Sequence, residues 1–197
     1  SYRAWSEPAP RSVSGVELGA VIAHLNATLP DDAILTNGAG NYAGWLHRYY
    51  RFRRPGTQLA PTSGSMGYGL PAAVAAKLRH PESTVVAFAG DGCFQMTGQE
   101  FGTAVQEGAA IIVIVADNGM YGTIRAHQER HYPGRVSATD LVNPDFAALA
   151  HAFGGHGETV RTTADFPPAF ERALQSGKPA ALSTQTTLSG LRSNAGR

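Results

Sequence analysis

The chain has 197 residues, with 16 Lys and Arg against 15 Asp and Glu for a net charge of +1, and 43% of it is hydrophobic. That is enough chain for one well-buried domain. The near-zero charge argues against a general nucleic-acid binder, and one cysteine excludes an intrachain disulfide framework and fits a reducing, cytoplasmic setting. No apolar run approaches the roughly 18 residues of a membrane span, and the sequence shows no signal peptide, internal repeat or low-complexity tract.

Residues 1–12 open on Ser1 with a polar, proline-containing stretch, and the first methionine is Met66. They are expected to be the remnant of an interdomain linker, so the chain reads as a fragment with one folded domain over 13–187 and a flexible polar tail over 188–197. From Ser12 or Ser14 a helix is predicted. Leu18, Val21, Ile22, Leu25 and Leu29 recur at helical spacing until Pro30 and Asp31-Asp32 stop it.

Ala33 to Thr36 reads as a short strand that runs into Asn37-Gly38-Ala39-Gly40-Asn41 and a helix over Tyr42 to Tyr50. A strand, a glycine-rich turn and a helix N-terminus together form an anion-binding corner. Gly38, Gly40 and Gly44 are spaced one residue too widely for the dinucleotide fingerprint, and no acidic residue follows about 20 positions on, which argues against a nicotinamide or flavin site. The basic run Arg48, Arg51, Arg53 and Arg54, interleaved with Tyr49, Tyr50 and Phe52, invites an RNA reading. A helix end accounts for it more simply, with cations at the negative end of the dipole and aromatics packed inward.

Next, Pro61-Thr62-Ser63-Gly64-Ser65-Met66-Gly67-Tyr68-Gly69 precedes an Ala-rich helix with Pro71 in its first turn. Glycines this dense mark a backbone that something approaches closely. Two apolar strands then flank a helix. Val85 to Ala89 empties into Gly90-Asp91-Gly92, and Ala110 to Ala116 ends in Asp117-Asn118-Gly119. Unbroken apolar strands around a helix point to a βαβ unit in a buried parallel sheet. Asp91 and Asn118 then emerge at the same carboxyl edge, about 5 Å apart laterally if the strands are neighbours. A carboxylate and an amide oxygen at that edge suit Mg²⁺, which takes one or two protein side chains and completes its octahedron with phosphate and water. Gly90 and Gly92 leave room for a phosphate to approach backbone N–H groups.

Between the strands, Thr97-Gly98-Gln99-Glu100 predicts a capping box with Thr97 as N-cap, Phe101, Ala104 and Val105 a buried face, and Gly108 the C′ residue. Cys93 has no local base to make it a nucleophile. The segment from Ala126 to Asn143 is loop-rich and expected to be mobile in part without a ligand. His127 and His131 lack a third metal ligand. Asn143-Pro144 is expected to cap a helix containing Phe146, Leu149 and Phe153. A strand over Gly157 to Arg161, a helix over Ala169 to Gln175 and a strand over Ala180 to Thr184 finish the alternation. The result is a doubly wound α/β fold, a mostly parallel sheet of about six strands with helices on both faces.

The spacing of 27 positions from Asp91 in GDG to Asn118 in DN, together with G-S-M-G-Y-G-L-P, resembles the thiamine-diphosphate (ThDP) enzymes. The likeness is to the C-terminal ThDP-binding domain of the acetolactate synthase and benzoylformate decarboxylase group. It implies thiamine diphosphate and Mg²⁺ as cofactors, the metal on Asp91, Asn118 and the backbone carbonyl of Met120. It also implies cofactor contacts from Gly40, Asn41 and Tyr42, from Gly64, Ser65 and Met66, from Gly90, Gly92 and Cys93, and from Tyr121, Gly122 and Thr123. Met66 would hold the cofactor bent. The resemblance implies a small 2-keto acid as substrate, with carboligase or decarboxylase chemistry. No catalytic residue is expected in this chain, because the activating glutamate lies on an N-terminal pyrimidine-binding domain of the parent chain, from a second subunit of a homo-oligomer. Neither nucleic acid nor membrane is an expected partner. The sequence departs from the pattern at Asp117 (usually Asn), at Cys93 (usually Ser) and at Asn41-Tyr42, where acetolactate synthases tend to have Gln-His. Position 124 is Ile, where some relatives carry a catalytic glutamate. The alternative is a phosphate-ligand-binding or regulatory module that kept the corner and lost the chemistry.

Overall fold

The computed structural model describes residues 5–7 and 14–187. Among these residues six strands form a single all-parallel sheet: β1 (Ile34–Asn37), β2 (Gln58–Leu59), β3 (Val85–Gly90), β4 (Ile112–Asp117), β5 (His156–Val160) and β6 (Ala180–Gln185). Their order across the sheet is β2-β1-β3-β4-β6-β5. The α-helices before and between them are α1 (Leu18–Thr28), α2 (Ala43–Tyr49), α3 (Gly69–Arg79), α4 (Asp91–Gln95), α5 (Glu100–Gln106), α6 (Gly122–His131), α7 (Phe146–Ala152) and α8 (Phe166–Gln175). The doubly wound architecture is as the alternation implied.

The central strands are mostly apolar on both faces because the period-two alternation of a strand feeds two cores at once. Val86, Phe88, Ile112, Ile114 and Leu182 point to one face, where α1, α2 and α8 pack. Val85, Ala87, Val113, Val115 and Ala181 point to the other, beneath α3, α5 and α7. In α8, Phe166, Ala169, Phe170 and Ala173 are buried at the spacing of one helical face.

Several local expectations are corrected. The first helix starts at Leu18, not at Ser14, and Glu17 caps it. Its carboxylate accepts from the N–H groups of Gly19 at 2.9 Å and Ala20 at 2.6 Å. The alternative start at Ser12 and the tail over 188–197 lie outside the described residues. No capping box forms at Thr97. Its hydroxyl donates to the Gly67 carbonyl at 2.8 Å, and α5 begins after Gln99 without a side-chain cap. Gly108 does sit just past that helix with φ 62°. The stretch read as loop contains α6, and β2 is a two-residue strand that sequence reasoning missed. The last helix before β5 is capped by Asp145, whose carboxylate accepts from the Ala148 N–H at 3.0 Å, so Asn143 is free for another use. Among the described residues no helix is long and apolar enough to cross a membrane.

Candidate functional site

The chain leaves β1 toward β2 on one side and returns to β3 on the other, so the loops after β1 and β3 diverge. In open α/β sheets this switch point, outside the carboxyl ends of the strands, opens a crevice. Here it is a cavity of about 220 Å³. Its walls are Ala39 to Tyr42 after β1, Gly64 and Met66 before α3, Gly90 to Cys93 from the last residue of β3 onward, and Ala116, Asn118 and Met120 to Ile124 around the end of β4. All the residues expected at the cofactor line it except Ser65. That side chain is exposed, with its hydroxyl 2.8 Å from that of Ser63.

β3 and β4 are hydrogen-bonded neighbours, with Gly90 opposite Ala116, so Asp91 and Asn118 leave the sheet at the same rim. Asp91 is 3% exposed and held from all sides. Its Oδ1 accepts from the Gly92 N–H at 2.8 Å. Its Oδ2 accepts from the N–H groups of Asn118 at 3.2 Å and Gly119 at 2.8 Å, and from Nδ2 of Asn143 at 2.8 Å. Asn118 folds into an Asx turn, its Oδ1 accepting from the Met120 N–H at 3.2 Å. Its Nδ2 is buried and has no hydrogen-bond partner.

Asp117 lies beside this pair. Burial pushes its carboxyl above the usual range, and Asp91 adds to the push, while the amide of Asn143 works against both. Asn143 Nδ2 reaches Asp117 Oδ1 at 2.7 Å as well as Asp91. Sequence reasoning missed this residue because it reads locally as a helix cap, and nothing nearby announces a contact 52 positions away.

The glycines have a second use that the sequence did not disclose. A Cβ on Gly90 would lie 2.9 Å from the ring of Tyr42, and one on Gly92 would lie 2.6 Å from the ring of Tyr121. A side chain at either position would have to displace a tyrosine ring, before any ligand is considered. The Tyr42 hydroxyl donates to Cys93 Sγ at 3.1 Å, and the same sulfur accepts from the Gly67 N–H at 3.0 Å. Desolvation raises the Tyr42 phenol well above its ordinary value and keeps it protonated as a donor. Cys93 thus ties three segments together as a buried acceptor, in keeping with a packing role. Across the cavity, Thr123 Oγ1 accepts from the Asn41 N–H at 3.0 Å and joins α6 to the loop after β1.

The donor set fits a hard cation. Among the described residues no group of three or more His, Cys, Asp or Glu gathers as a metal site, so an ion at this rim would rest on one carboxylate with amide and carbonyl oxygens. The unpartnered, buried Nδ2 of Asn118 is a donor lacking an acceptor oxygen, which a phosphate would supply. His127 and His131 stack on α6 with centroids 6.2 Å apart. Three arginines of the basic run are engaged within the chain. Arg48 lies over the Trp5 ring at 4.6 Å, Arg51 is 3.8 Å from Glu7, and Arg53 is 3.4 Å from Asp31.

Comparison with known proteins agrees with this geometry. Residues 38–184 match the family described as thiamine pyrophosphate enzyme, C-terminal TPP binding domain. The acetolactate synthase isozyme 2 large subunit of Escherichia coli is 34% identical over 161 residues, covering 81% of this chain and 29% of that one. The acetolactate synthase large subunit of Corynebacterium glutamicum is 38% identical over 161 residues, covering 79% of this chain and 26% of its own length. Among solved structures, the thiamine diphosphate-dependent 4-hydroxybenzoylformate decarboxylase of Rhodococcus jostii superposes with a TM-score of 0.85 at 30% identity, covering 92% of this chain and 34% of that one. The chain thus spans under a third of these acetolactate synthase relatives. With a match that runs from the loop after β1 to the last strand, the chain belongs to the thiamine pyrophosphate enzymes, as their C-terminal TPP-binding domain.

Proposed function

We propose that this chain binds the Mg²⁺-diphosphate end of thiamine diphosphate, as the C-terminal domain of a 2-keto-acid carboligase or decarboxylase resembling acetolactate synthase. The observation that carries the reading is the delivery of Asp91 and Asn118 to one rim by adjacent strands, at the mouth of a cavity walled by the expected residues. Asp91, Asn118 and the Met120 carbonyl would hold the cation. Gly40 to Tyr42, Gly64, Met66, Gly90 to Cys93 and Tyr121 to Thr123 would surround the cofactor. When bound, thiamine diphosphate supplies a nucleophilic carbon for the keto group and an electron sink as CO₂ leaves.

The chain's own share is binding and orientation. The backbone donors around Asp91 fix its carboxylate, while the rings of Tyr42 and Tyr121 line the crevice beside Gly90 and Gly92. Proton chemistry is not among its tasks in this reading. Ile124, 49% exposed at the cavity wall, has no acid or base to offer. The activating glutamate would come from an N-terminal pyrimidine-binding domain in a second subunit of a homo-oligomer, and the substrate is a small 2-keto acid. By itself the chain is incomplete as a catalyst, and its one buried free cysteine suits a reducing, cytoplasmic setting.

Calorimetry of the chain with thiamine diphosphate and Mg²⁺ tests the reading, with Asp91→Asn as control. Mg²⁺-dependent binding lost in the variant is the expected result. No thiamine diphosphate binding, with tight binding of inorganic phosphate or a nucleotide instead, would favour a non-catalytic phosphate-binding module. Robust 2-keto-acid turnover by the isolated chain would contradict its incompleteness.

A further inference from the structure

We infer that Asn143 is a positioning residue for the cation rim: its one amide nitrogen serves the carboxylates of Asp91 and Asp117 together, and so fixes which oxygen of Asp91 stays open. The inference rests on the function proposed above and extends it to a residue outside the cavity wall. An amide nitrogen carries two hydrogens. Here one points to Asp91 Oδ2 at 2.8 Å and the other to Asp117 Oδ1 at 2.7 Å. The amide oxygen is turned the other way, accepting from Gln95 Nε2 at 2.8 Å. The reverse orientation would set that oxygen against two carboxylates, so the contacts themselves dictate the assignment.

Three donors converge on Asp91 Oδ2: the N–H groups of Asn118 and Gly119, and Asn143. Oδ1 has only the Gly92 N–H. One oxygen is saturated and the other keeps a lone pair for a cation. Asn143 also belongs to a segment stitched to the metal loop, where the Leu141 N–H donates to the Gly119 carbonyl and the Tyr121 N–H to the Thr139 carbonyl, each at 2.8 Å. The grip of Asn143 on the two carboxylates therefore holds the turn that carries the Met120 carbonyl.

The test compares the wild-type chain with Asn143→Ala, Asp117→Asn and the double variant. Calorimetry measures Mg²⁺–thiamine diphosphate binding, and denaturation measures the stability of each chain without cofactor. Loss of such an outer partner weakens metal affinity by roughly 10- to 100-fold, and that is the expected effect of Asn143→Ala. In the Asp117→Asn background the second charge is gone, and the loss should shrink to about threefold or less. Equal losses in both backgrounds, or none in either, would overturn the assignment, since a plain loop anchor would not depend on the charge at 117. A wild-type chain that binds no Mg²⁺–thiamine diphosphate would sink the functional reading instead. The assignment would then be judged on cofactor-free stability, where Asn143→Ala must cost more beside Asp117 than beside Asn at that position. Should Asn143→Ala fold only in the Asp117→Asn background, that rescue meets the expectation, and failure to fold in both would refute it.

Discussion

Asp91→Ala should destabilise the chain with no cofactor or metal present. The Asp91 carboxylate is 3% exposed and accepts four hydrogen bonds. On its removal, Gly119 N–H and Asn143 Nδ2 fall back on Asp117 Oδ1, at 3.3 Å and 2.7 Å. The N–H groups of Gly92 and Asn118 have no such second acceptor. A buried donor left unsatisfied costs about 1–3 kcal/mol. Two of them give about 2–6 kcal/mol, which water entering from the adjoining cavity and relief of Asp117 would trim to roughly 2–4 kcal/mol. At about 2–4 °C per kcal/mol for a domain of this size, the melting point should drop by about 5–15 °C. Urea unfolding of the cofactor-free chain, followed by circular dichroism, measures the loss. Asp91→Asn, which keeps an acceptor oxygen, should lose less than half as much. A stability within about 0.5 kcal/mol of wild type for Asp91→Ala would refute the view that this carboxylate organises the rim before any ligand arrives.

Three further outcomes follow from particular contacts. A Cβ at position 157 would land on the Ala147 carbonyl oxygen and within 2.8 Å of its Cα, both backbone atoms that cannot swing aside, so Gly157→Ala should cost about 1–3 kcal/mol by thermal or urea unfolding. An unchanged midpoint would mean that α7 can shift off the sheet. Arg172 beside Glu158 holds that carboxyl below the usual range, so the pair's contribution is complete at neutral pH and is lost as acid titration runs down through the lowered value. Glu158→Gln should be less stable than wild type at pH 7 and converge with it near pH 2, and a gap of equal size at both would count against the pair. Asp117 is the opposite case. Its raised carboxyl makes wild-type stability fall as pH climbs from the ordinary carboxylate range through the raised value, so Asp117→Asn should gain on wild type at pH 7 and lose that gain below about pH 4, read from cofactor-free melting points.

The parts of this molecule that the sequence disclosed are those set by local pattern. The unbroken runs ending at Gly90 and Asp117 could only be strands covered on both faces, and their glycine and acid termini mark the edge at which the cavity opens. What stayed hidden depends on partners distant in the chain. Thr97 looked like a cap because Glu100 stands three positions on, yet its hydroxyl is taken by the Gly67 carbonyl, 30 positions away. Asn143 looked like a cap because Pro144 follows, yet Asp145 takes that role and frees the amide to bridge two carboxylates. Gly90 and Gly92 were legible as places of close approach, but not the aromatic rings that approach them. A short hydrogen-bonded pair such as β2 carries too little periodicity to be read at all.

The place of β6 in the sheet has a consequence for how the protein is made. Of the sheet's six strands it is the last in chain order to leave the ribosome, yet it lies between β4 and β5 and not at an edge. Until residues 180–185 have been synthesised, β4 has no neighbour on that side, and the Val- and Ile-rich stretch over 112–115 presents an open, aggregation-prone border. Nascent chains stalled before Ala180 should therefore need chaperone protection that chains extended past Gln185 can dispense with.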